Sequence, residues 1–205
     1  CLDDTRIRMG RTDMNLDAQL YNDRPDSVDS GFYPSFTAYL RPSKFDFMTL
    51  NYLLPKPLPM QDPAFISGYL SGDLNEIKSD SLFIGLYDET RLQTAVVLSN
   101  YTNADELEFD FDIAHGRVSF TELDRFLNST ELSLEGTPYL QGRIRGDLNR
   151  IQTRNLKIKF MEGTDLLVRA NLHNYTEGDD LVMDLKFTNS YFMISEVRKL
   201  LPDLA

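Results

Sequence analysis

Apolar and polar residues alternate along much of this 205-residue chain. Leu82, Ile84 and Leu86 stand two apart, followed by Leu92, Val96 and Leu98 and then by Leu107, Phe109, Phe111 and Ile113. The rhythm returns further on in Leu156, Ile158 and Phe160, in Leu166, Val168, Ala170 and Leu172, and in Leu181, Met183, Leu185 and Phe187. A period of two marks a strand with one buried face, so each run is read as a strand whose other face meets water. Turn residues punctuate the runs at Asp88-Glu89, Asn103-Ala104-Asp105, Glu162-Gly163 and Glu177-Gly178-Asp179, and the whole reads as a meander of antiparallel strands. The period changes over Phe120–Leu127 and Ile194–Leu201, where short helices are expected. Ser119 followed by Glu122 has the spacing of a capping box, Phe120, Leu123, Phe126 and Leu127 form one apolar side, and prolines after Leu54 and Leu201 stop the helices.

The runs are copies of one another. Phe65–Asn128 lies on Tyr139–Pro202 at a constant spacing of 74 residues without a gap. Gly72-Asp73-Leu74-Asn75 returns as Gly146–Asn149, and Asn100-Tyr101-Thr102 returns as Asn174–Thr176. Ile77, Leu82, Ile84, Thr90, Leu92 and Leu98 recur as Ile151, Leu156, Ile158, Thr164, Leu166 and Leu172. A third, partial copy opens the chain: Thr12, Met14, Leu16, Ala18, Leu20 and Asn22 fall on Thr90, Leu92, Thr94, Val96, Leu98 and Asn100, and Tyr52-Leu53-Leu54-Pro55 falls on Lys199–Pro202. The expected division is a partial repeat over 1–60 and complete repeats over 61–134 and 135–205, joined in one elongated domain. The first copy is expected to lack its opening strands, as in a chain cut from a longer array. A unit of four or five strands and a short helix is too small to bury its own apolar face, so neighbouring units should join edge to edge into one sheet with a long apolar side.

Composition narrows the partners. With 32 acidic against 21 basic residues the net charge is −11, which repels phosphate backbones and argues against nucleic acid. No apolar run approaches the roughly 20 residues needed to span a bilayer as a helix. Cys1 is the single cysteine, so no internal disulfide forms. Strand-like sequence begins soon after it, which fits a cut site better than an acylated residue with its usual polar spacer.

No constellation of catalytic residues stands out. His115 and His173 occupy non-equivalent repeat positions and have no partner at ligand spacing, so neither reads as a metal ligand. Asp105, Glu106, Glu108, Asp110 and Asp112 alternate with Leu107, Phe109 and Phe111, which places most of them on the wet face of a strand. The sequons at Asn100 and Asn174 share one repeat position and read as turns; the third begins at Asn128. The expectation is a non-enzymatic chain without cofactor or metal.

At this point the residues resemble a known family. The run from Leu140 to Phe160 (LQGRIRGDLNRIQTRNLKIKF), then Gly163-Thr164-Asp165-Leu166, then the closing Arg198-Lys199-Leu200-Leu201-Pro202, is similar to a unit of the AsmA-like superfamily, most of all its TamB-type members from Gram-negative bacteria. The resemblance covers nearly the whole chain and rests on pattern, spacing and repetition. It implies a mainly β fold with short helices, in which antiparallel units stack into an elongated, curved, taco-like sheet with an apolar inner face. It also implies a periplasmic parent, anchored in the inner membrane by a segment absent here, that conducts phospholipids toward the outer membrane and supports outer-membrane assembly. Partners would then be phospholipid acyl chains, neighbouring repeats and outer-membrane assembly proteins. The alternating apolar residues from Leu82 to Ile113 and from Leu156 to Phe187 would line the groove. The competing expectation is a closed β-sandwich, a scaffold or protein-binding module without lipid transport.

Overall fold

A computed structural model describes residues 2–22, 34–46, 48–49, 63–87, 89–122, 136–160, 163–174, 180 and 182–195. All described strands belong to one antiparallel sheet whose spatial order is the order of the chain. The strands are β1 (Leu2–Met9), β2 (Thr12–Asn22), β3 (Pro34–Asp46), β4 (Pro63–Asp73), β5 (Glu76–Leu86), β6 (Thr90–Ser99), β7 (Glu108–Arg117), β8 (Tyr139–Asp147), β9 (Arg150–Lys159), β10 (Asp165–His173) and β11 (Val182–Phe187). The meander is therefore realised strand by strand, because each hairpin pairs a strand with its immediate successor.

The repeat is visible in the elements. Strands β4–β7 and β8–β11 are two sets of four, each followed by the first residues of a helix, 120–122 and 194–195. The later part of each expected helix, like Leu181, lies outside the described residues. In the opening copy β2 and β3 take the places of β6 and β7. The strand β1 stands where β5 and β9 stand, pairing Met9 with Thr12 as β5 pairs Leu86 with Thr90. One of the opening strands expected to be missing is thus present. Its charged sequence, LDDTRIRM, hid the alternation.

Two polar devices recur at the repeat spacing and explain the sequence motifs. The Asp73 carboxylate accepts the amides of Asn75 and Glu76 at 2.7 and 2.9 Å, and Asp147 accepts those of Asn149 and Arg150 at 2.7 and 2.8 Å. The Asn75 and Asn149 carbonyls in turn accept the amides of Asn100 and Asn174, both in the left-handed region at φ 56° and 57°. Asparagine tolerates that region better than most residues. Gly72 and Gly146 precede these turns because a Cβ there would lie 2.1 Å from the Glu76 carbonyl oxygen or 1.9 Å from that of Arg150.

The second device joins strand to helix. Thr12, Thr90 and Thr164 are among the most buried residues of the protein. Their hydroxyl oxygens accept the amides of Asp46, Ser119 and Met193 at 3.0, 3.0 and 2.9 Å. The same clasp in all three copies fixes where the chain leaves the last strand of each unit. It also corrects the expected capping box. Ser119 Oγ accepts the Glu122 amide at 3.4 Å, but the Ser119 amide is held by Thr90, and the Glu122 carboxylate binds the amides of Glu89 and Thr90 at 2.8 and 2.7 Å.

Every neighbouring pair of strands except β10–β11 carries a register shift. Such irregularities bend strands and increase twist, and a series of them across the sheet gives an open, curved surface. Among the described residues no second sheet faces it, and each strand packs chiefly on its neighbours in the ladder. The described strands form one open, curved sheet and not a two-sheet sandwich.

Candidate functional site

Directly paired residues in an antiparallel ladder project from the same face, so the register identifies which side chains share a surface. One row runs from β2 to β11 through Leu20, Phe36, Gly72, Ile77, Leu98, Phe109, Gly146, Ile151, Leu172 and Met183. A second runs from β4 to β10 through Ile66, Ile84, Leu92, Gly116, Leu140, Ile158 and Leu166. Leu40, Gly68, Leu82, Thr94, Ile113 and Gly142 make a third. Both repeat boundaries, β3–β4 and β7–β8, are crossed without change of face.

The expected lining residues fall on this surface. Ladder pairing puts Leu82, Ile84, Leu86, Leu92, Val96, Leu98, Phe109, Phe111 and Ile113 there, and likewise Leu156, Ile158, Leu166, Val168, Ala170, Leu172, Met183, Leu185 and Phe187. Two expected strand members stand just outside their strands. Leu107 ends the 3₁₀ turn Ala104–Glu106, and Phe160 follows β9, where its ring lies 6.3 Å from that of Phe120. Burial varies across the face: Leu82, Val96 and Ile113 are buried, Ile84, Leu92 and Phe111 are half-buried, and Met183, Leu185 and Phe187 on β11 are exposed. A face of graded exposure with no covering sheet can accept a flexible apolar ligand.

Several members of the surface were not anticipated, namely Leu16 and Leu40 in the opening copy, Ala64 and Ile66 on β4, and Leu140 and Ile144 on β8. Glycines interrupt the alternation in β4 and β8, where Gly68 and Gly142 adopt φ 143° and 130° at the register shifts. The signal was the pattern Leu140, Gly142, Ile144, Gly146, in which glycine keeps the beat without adding an apolar side chain.

The other face is polar along much of its length. Arg143 donates from Nε to Asp110 at 2.7 Å, and its Nη2 also binds that carboxylate, which holds the guanidinium pKa above its ordinary value. Asp110 and Asp112 pair in register with Arg145 and Arg143, so much of the acidic run meets basic residues across the repeat boundary. His173 Nε2 lies 3.0 Å from Asn171 Nδ2, and His115 projects from β7 beside Gln93. Among the described residues no group of three or more His, Cys, Asp or Glu could hold a metal, and no helix is long and apolar enough to cross a membrane.

This face is not uniformly wet, contrary to the sequence expectation. Phe65, Phe83 and Tyr139 are about half exposed on it and line a groove of about 860 Å³ with Arg91, Arg117 and Lys157. Phe65 and Tyr139 occupy the same repeat position, which was the available sequence signal. Comparison with known proteins adds no relative: no family model, no curated protein and no solved structure matches the chain.

Proposed function

We propose that this chain is a segment of a lipid-conducting β-groove, with a transport and structural role and no covalent chemistry. The observation that carries the reading is the continuity of the apolar rows across both repeat boundaries, from Leu20 on β2 to Met183 on β11. An acyl chain laid along such rows gains about 0.8 kcal/mol per buried CH₂ and needs no specific polar contact. The uncovered face supports an open groove over a closed core. A sheet whose units repeat at fixed register can be extended by further units without breaking the apolar track.

In this reading the parent is an AsmA/TamB-like bridge of the periplasm, anchored in the inner membrane outside this segment. It passes phospholipids between the inner and outer membranes, with neighbouring repeats and outer-membrane assembly factors as its protein partners. Nucleic acid has no place in it.

The test is a photocrosslinking residue placed at Leu92, Leu166 or Ile158, all on the apolar face, with Asp112 on the opposite face as control. Phospholipid adducts at the first three positions and none at Asp112 are expected in the membrane-assembled parent. A folded, assembled protein without adducts at any apolar-face position would overturn the conduit.

A further inference from the structure

We infer that the groove on the outer face is a binding site for a small amphiphilic anion, one with a phosphate, sulfonate or carboxylate head and an aromatic or aliphatic body. Its rings and cations belong to ladder rows that alternate with the apolar ones, of which Ile66, Ile84, Leu92 and Leu140 also border the groove, and the inference does not depend on lipid conduction along the apolar face.

Two ladder rows build it. Phe65, Gly85, Arg91, Arg117, Tyr139 and Lys159 stand directly opposite one another on β4 through β9. In the next row Ser67, Phe83, Gln93 and His115 are partners in turn, and Gln141 pairs with Lys157. The groove crosses the boundary between the second and third repeats, so each contributes one wall. Phe65 and Phe83 stand on one side, Tyr139 on the other, and their exposed rings provide flat apolar surface. Gly85 leaves the space over which the Arg91 side chain lies, since a Cβ there would sit 3.4 Å from Arg91 Nη1.

The charge is what distinguishes this hollow. The chain as a whole carries −11, yet among the described residues that line the groove four are Arg or Lys and none is Asp or Glu. Arg91 and Arg117 are direct cross-strand partners, and like charges in that relation destabilise a sheet unless something neutralises them. Nothing among the described residues does. Arg91 Nη1 donates only to the carbonyls of Leu86, Tyr87 and Thr90, at 3.4, 3.1 and 2.7 Å, and Arg117 Nε is buried without a hydrogen-bond partner. Asp165 reaches only the far end, where it pairs with Lys159 at 2.9 Å and Lys157 at 3.9 Å.

Guanidinium groups carried by two directly paired residues suit an oxyanion, which takes paired N–H donors from a planar fork. A volume of about 860 Å³ is that of a small-molecule site, within the usual range of about 300–1,000 Å³. The ligand head therefore sits between Arg91 and Arg117, and its body lies against Phe83 and Tyr139.

The experiment is calorimetric titration of the 205-residue chain with 1-naphthyl phosphate, beside inorganic phosphate and uncharged 2-naphthalenemethanol. Naphthyl phosphate should bind at least tenfold more tightly than either, and added salt should weaken it. R91Q/R117Q and F83A should each lose about tenfold in affinity or more, whereas Phe109→Asp on the apolar face should leave binding unchanged. In the unmodified protein the probe should shift the ring resonances of Phe83 and Tyr139 and leave the methyls of Val96 and Ile144 in place, a readout that does not depend on any variant folding. Absence of binding, equal affinity for inorganic phosphate, or shifts confined to the Val96 and Ile144 methyls would overturn the assignment.

Discussion

Thr90 Oγ1 accepts the amide of Ser119 at 3.0 Å across 29 residues of chain, at a point where both residues are buried. The hydroxyl fixes the exit from β7 toward the helix, and Thr12 and Thr164 do the same in the other copies. Thr90→Val keeps the shape and removes the acceptor, leaving a buried amide unsatisfied. It should cost about 1–3 kcal/mol, read as a lower midpoint in urea denaturation, while Thr90→Ser should lose clearly less. Equal stability of the valine variant and the parent would mean that the clasp contributes nothing.

Gly146→Ala places a Cβ 1.9 Å from the Arg150 carbonyl oxygen, a backbone atom that cannot step aside without opening the β8–β9 hairpin. Gly85→Ala puts its Cβ 3.4 Å from the end of the flexible Arg91 side chain. The first should cost the stability typical of strained backbone sites, about 1–3 kcal/mol, read as a lower urea midpoint. The second should change stability by about 0.5 kcal/mol or less. The reverse order in thermal or urea unfolding would refute this account of the Gly-Asp-Leu-Asn turn.

Charges on the apolar face should act according to burial. Val168 is 6% exposed, so Val168→Lys buries an ammonium without a partner and is expected to destabilise the sheet by several kcal/mol, which makes it a poor probe of transport. Phe109 is half-buried beside Phe111, with ring centroids 5.6 Å apart. Phe109→Asp should therefore leave a folded sheet by circular dichroism while abolishing phospholipid crosslinking at Leu92. Glu108→Lys, on the opposite face, should leave crosslinking intact. Undiminished crosslinking in a folded Phe109→Asp protein would separate the apolar face from any lipid path.

The β1–β2 pair should show a shallow acid sensitivity. The hydrogen bond from Arg6, assisted by its charge, holds the Asp13 carboxyl below its ordinary pKa, and the Asp4 amide does so for Asp17, with Arg41 assisting. A depressed folded pKa gives stability that is present above the ordinary carboxylate value of about 3.9 and is lost as pH falls through the lower folded value. Both carboxylates are solvent-screened, so the effect should be small and weaken with salt. Arg6→Gln should flatten the dependence of the urea midpoint on pH below about 4; an unchanged slope would contradict the sign.

The sequence by itself determined the elements and their repetition. A period of two fixes which residues share a strand face, and the 74-residue spacing carries the turns, the clasp threonines and the strand order from one copy to the next, because these depend on local chemistry within a hairpin. Most of the predicted apolar face was legible for the same reason: Leu82 and Val96 announce their side without reference to distant residues. Only the tertiary structure decided the rest. The register shifts that bend the sheet arise where two strands meet, as at Gly68 and Gly142, and neither strand alone specifies them. The basic groove needs lateral pairing to bring Phe65 of β4 into one row with Arg117 of β7 and Lys159 of β9. Whether the apolar face stayed open was likewise a question of what packs against it. Alternation records that a side chain avoids water but carries no information about the partner that excludes the water.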